Sequence, residues 1–93
     1  MNKQSEIQRI KDKAEYYFNE GDDENALKEY ENLKELNPMD LSGYYRYVNE
    51  TKKLLSLDPP NCVVAKDYYQ NYARKLHDLP NDEIDLFLNK NCK

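Results

Sequence analysis

Pro38, Pro59 and Pro80 stand 21 residues apart, and this spacing constrains the chain more than any other single feature. Proline breaks a helix interior but opens a first turn readily, so each interval has room for one helix and a connection. Within the intervals apolar residues recur at steps of three and four, and no segment shows the alternation and β-branched content of a strand. The expected fold class is all-α, with two antiparallel helical hairpins followed by a short C-terminal capping helix, as one domain over residues 1–93.

The stripes give the expected helices. Ile7, Ile10, Ala14 and Tyr17 define a first helix from about Lys3 to Glu20, ended by Gly21. Asp22 or Asp23 caps a second, which carries Ala26, Leu27, Tyr30 and Leu33 until Asn37 and Pro38 stop it. A third begins near Asp40 with Leu41, Tyr44, Val48, Thr51 and Leu55 on one face. The fourth, about Cys62 to Asp78, lines up Ala65, Tyr69, Tyr72 and Leu76, widened by Val64, Tyr68 and Ala73. Asn81 or Asp82 caps the fifth, where Ile84, Phe87 and Leu88 form a covering patch.

A core built from these stripes is short of aliphatics. Leu, Ile, Val and Phe number 19 of 93 residues, near the level at which composition alone indicates disorder. Nine tyrosines make up the difference, each burying a ring while leaving its hydroxyl at a polar edge.

The segment Ala14 to Pro38 resembles the second half of a tetratricopeptide repeat unit, whose pattern is A-Y-Y-x-x-G-D-x-x-x-A-x-x-x-Y closing on L-x-P. Ala14 takes the family's small residue, Tyr17 its aromatic, Gly21 its turn glycine and Ala26 the small residue where two helices touch. Tyr30 takes the packing aromatic and Pro38 the terminal proline, whereas Lys13 departs from the family's leucine. A step of 34 residues carries Ile10 to Tyr44, Ala14 to Val48 and Tyr17 to Thr51, after which the register fails at Pro59-Pro60. A helical bundle with a single chance motif is the alternative architecture.

The resemblance implies protein or peptide binding in a groove lined by the first helix of each unit. The residues flanking the core stripes are Lys11, Glu15 and Phe18 on helix one and Tyr45, Asn49 and Lys52 on helix three. They are the expected partner-binding set, with rings supplying contact area and lysines attracting acidic groups. Some family members grip a C-terminal carboxylate between lysine and asparagine, but Glu15 replaces that asparagine and would repel the ligand. The pairs Tyr16-Tyr17, Tyr44-Tyr45 and Tyr68-Tyr69 each place one ring on a stripe and turn its neighbour about 100° away. Tyr16, Tyr45 and Tyr47 are thereby further interface candidates.

Other chemistry has little support in the sequence. The mild net charge of −4 is spread along the chain, and Arg74, Lys75 and His77 read as the cationic last turn of a helix, so no nucleic-acid partner is expected. A single histidine leaves no His cluster for metal, Glu20 to Glu24 lacks EF-hand spacing, and no phosphate-cradling glycine motif occurs. No enzyme activity, cofactor or metal is therefore expected. No run of 18 apolar residues and no apolar N-terminal segment occurs, so the expectation is a cytoplasmic protein without a membrane partner. Cys62 and Cys92, 30 residues apart and outside any C-x-x-C, are read as two separate packing thiols of that compartment.

The leading functional reading is a non-enzymatic interaction module that scaffolds or regulates a partner. The alternatives are a small accessory or phage-type inhibitor that blocks an enzyme complex, and a homo-oligomer that pairs its open helix faces.

Overall fold

The computed structural model describes residues 3–92. Among them the chain is all-α, with five helices and no strand. These are α1 (Lys3–Asn19), α2 (Asp23–Leu36), α3 (Ser42–Leu55), α4 (residues 62–76) and α5 (Asp82–Asn91). Contacts group the chain into two compact units divided between Gly43 and Tyr44.

In the first unit α1 packs on α2. Gly21 takes φ +79°, a left-handed conformation that a residue with a Cβ adopts at a cost. That rotation closes a Schellman end, with the Asp22 N–H donating to Tyr17 O at 2.9 Å and the Gly21 N–H to Phe18 O at 3.1 Å. The Asp22 carboxylate then accepts from the Asn25 N–H and caps α2. Ile7, Ile10, Ala14, Ala26, Tyr30 and Leu33 are buried, while Tyr17 and Leu27 of the same two stripes are only half-buried.

The second unit contains the rest of α3 with α4 and α5. Tyr44, Val48, Thr51 and Leu55 are buried on α3, and the Thr51 hydroxyl donates back to the Tyr47 carbonyl at 2.7 Å, which makes a polar residue tolerable there. Helix α3 starts at Ser42 rather than at Leu41, because Asp40 accepts from the Ser42 N–H at 2.9 Å and from its hydroxyl. Leu41 therefore lies outside the helix and is only half-buried.

Helix α4 differs from the regular helix that its sequence predicts. It is α-helical over Cys62–Asp67, π-helical over Tyr68–Ala73 and α-helical again over Arg74–Leu76, with the Arg74 N–H donating to Tyr69 O five residues back. The wider turn brings Ala73 fully into the core and leaves Tyr72 half-buried. Val64, expected on the buried stripe, lies one residue off the line through Ala65, Tyr69 and Ala73 and is exposed. Tyr47 of α3 meets this segment, its ring stacked on Tyr68 at 5.8 Å and tilted against Tyr72 at 5.0 Å between centroids.

Tyr69 joins α4 to α5. Its hydroxyl donates to Asp85 Oδ1 at 2.8 Å and accepts from the Asn81 N–H at 3.1 Å, while Asn81 Oδ1 caps the Ile84 N–H at 3.0 Å. The Tyr44 hydroxyl donates to the Leu79 carbonyl at 3.0 Å. The reading of Cys62 and Cys92 as separate thiols is overturned: they form a disulfide with a Cα–Cα distance of 5.5 Å. The helical path from Cys62 through α4 and back along α5 brings them together, a proximity that spacing along the chain does not reveal.

Candidate partner-binding surfaces

The six residues expected at the partner surface fall on two helix faces, one on α1 and one on α3, each at steps of four and three. On α1, Glu15 is exposed while Lys11 and Phe18 are half-buried. On α3, Tyr45 and Asn49 are exposed and Lys52 is half-buried.

The two lysines already have carboxylate partners within the chain. Lys11 Nζ lies 3.2 Å from Asp40 Oδ2, and Lys52 Nζ lies 3.3 Å from Glu83 Oε2. Sequence reading missed both pairings because each joins residues separated by about thirty positions. Each pairing reduces what a partner's acidic group would gain at that lysine, although an ammonium carries three donors and one carboxylate does not fill it. Burial pushes the Asp40 carboxyl up, but the Ser42 hydroxyl and N–H, with Lys11, outweigh it and hold that carboxyl below its ordinary value of 3.8. Asp40 thus stays charged beside Lys11.

The tyrosines divide sharply. Tyr16 is 60 % exposed and Tyr45 is 53 % exposed, and each meets its sequence neighbour edge-on: Tyr16 and Tyr17 at 5.7 Å and 64°, Tyr44 and Tyr45 at 5.3 Å and 76°. The neighbouring ring supports the exposed one on one side and leaves its other face to solvent. Tyr47, expected as a third interface candidate, is fully buried against Tyr68 and Tyr72 and belongs to the core. On the helical wheel it lies about 40° beyond Thr51, at the stripe's edge, and α4 covers that edge.

Further exposed apolar side chains carry no motif and were not legible as surface features, Met39 at 86 % and Val63 at 81 % chief among them. In the second unit a cleft of 160 Å³ lies between Lys52, Leu55 and Ser56 on one side and Glu83, Ile84 and Phe87 on the other. Its floor is apolar and the Lys52–Glu83 pair spans its rim. Among the described residues no group of three or more His, Cys, Asp or Glu side chains is arranged to hold a metal ion. His77 ends α4, its N–H donating to Ala73 O at 3.0 Å, and Arg74 pairs with Asp78 in the same turn. No helix among the described residues is long and apolar enough to cross a membrane.

No protein-family model, curated protein or solved structure matches the chain.

Proposed function

We propose that this chain is a non-enzymatic interaction module, tetratricopeptide-like in its first two helices, which binds another protein through its tyrosine-bearing helix faces. The observation that carries the reading is the pair of exposed rings, Tyr16 and Tyr45, each buttressed by a neighbouring ring. Tyrosine offers a large amphipathic contact for little rotamer entropy, and a ring that already packs on one side loses less freedom when a partner covers the other. Glu15, Phe18 and Asn49 would add contacts beside those rings. Lys11 and Lys52, each paired with a carboxylate of the chain, would contribute less.

We place this activity in the cytosol. Disulfides of that compartment are characteristically reversible, so the Cys62–Cys92 bond is there an equilibrium species rather than a permanent staple.

The test is affinity capture from the native host with the wild-type chain and with Tyr16→Ala/Tyr45→Ala, followed by titration of the retained protein. The reading predicts that a protein held by the wild type is lost, or binds at least about tenfold more weakly, with the double variant at unchanged helicity. Equal retention by both chains would rule out these faces.

A further inference from the structure

We propose that the Cys62–Cys92 disulfide is a thiol-sensitive latch on the second half of α5. The two ends of that helix are held by different means. At the start, Ile84 is buried, Asp85 accepts from Tyr69, Asn81 donates to Tyr69 and caps the helix, and Tyr44 holds the Leu79 carbonyl just before it. Beyond Asp85, Leu86 is exposed, Phe87 and Leu88 are half-buried, and the covalent tie to another helix is the disulfide at Cys92. Leu88 and Cys92 form one wall of an open groove of 340 Å³ whose other wall is Lys66, Tyr69 and Arg74 of α4, so this face of the far half of α5 borders a groove rather than a filled contact.

The asymmetry determines what reduction does. Cys92 is buried while Cys62 is the more exposed residue of the pair, so we assign the attack of an incoming thiolate to the Cys62 sulfur. With a dithiol reductant, the first thiolate bonds to Cys62 and the S–S electron pair leaves on Cys92, which takes up a proton. The second thiol of the reductant then displaces Cys62, which is protonated in turn. The reductant departs as its own disulfide, and two electrons and two protons have moved to the chain. The first turn of α5 keeps its Tyr69 and Ile84 anchors, while the turn carrying Leu88 to Cys92 is free to leave the groove and open it. The latch depends on the bond being reducible and not on what the chain binds.

Amide hydrogen exchange of the full chain, oxidised and after treatment with dithiothreitol, tests this. We expect exchange in residues 87–92 to accelerate by about tenfold or more on reduction, with the amides of α1, α2 and α3 unchanged. Cys62→Ser and Cys92→Ser should each show the reduced pattern and no response to dithiothreitol. Unchanged exchange in residues 87–92 would overturn the latch. So would loss of protection throughout α3, α4 and α5, in the reduced protein or either variant, since the bond would then staple the whole unit. Two alkylatable thiols in protein purified under air would overturn it at the outset.

Discussion

Two ionisable groups set opposite pH limits on the fold. Tyr69 is raised above its ordinary 10.0, first by burial and then by the charge of Asp85, against a lowering by the Asn81 N–H. Above pH 10 the unfolded tyrosine ionises while the folded one resists, so its contribution is complete below that pH and is lost as pH rises. Tyr69→Phe should flatten this alkaline limb in urea titrations. At neutral pH it should cost about 1 to 2 kcal/mol for the two hydrogen bonds, the Asn81 N–H losing its acceptor. Asp40, lowered below 3.8, acts in the opposite sense: its contribution is complete above that value and is lost as pH falls through the lowered one. Asp40→Asn should therefore leave the acid limb less steep while the alkaline limb is unchanged. A variant with the wild-type acid limb would show that Lys11 and Ser42 do not stabilise the charged form.

At the scale of the helix, the punctuation in the sequence is a physical instruction and was legible. Gly21 stops α1, Asp22 starts α2 and Asn81 starts α5, because left-handed backbone and a carbonyl-bearing side chain satisfy orphan helix-end groups. Beyond its own chain neighbours, nothing lies within 4 Å of where a Cβ on Gly21 would sit, so Gly21→Ala tests the backbone conformation without a clash. It should lower stability by about 1 kcal/mol in chemical denaturation, and an unchanged midpoint would count against the Schellman end. The π-helical segment of α4 was not legible, because five-residue hydrogen bonding there accompanies the packing of Tyr47 on Tyr68 and Tyr72, residues distant in sequence. The partner faces were legible only in part. Helical spacing distinguished the exposed Tyr16 and Tyr45 from their buried neighbours, but it misassigned Tyr47 and gave no sign of the carboxylates facing Lys11 and Lys52.

For the molecule as a whole, among the described residues four tyrosines share the buried positions with seven Ile, Leu and Val side chains, and a chain of 93 residues has a narrow margin of stability in which a covalent tie matters. The sequence carried no sign of that tie, since two cysteines 30 residues apart become neighbours only after α4 and α5 have turned back on each other. The central claim is that the exposed tyrosine faces bind a protein. Its most direct measurement is photo-crosslinking in the native host, with a benzophenone amino acid replacing Tyr16, Tyr45 or, as an exposed control, Lys34. The account predicts a discrete adduct to a host protein from position 16 or 45 and none from position 34; adducts from neither tyrosine position, or the same adducts from all three, would contradict it.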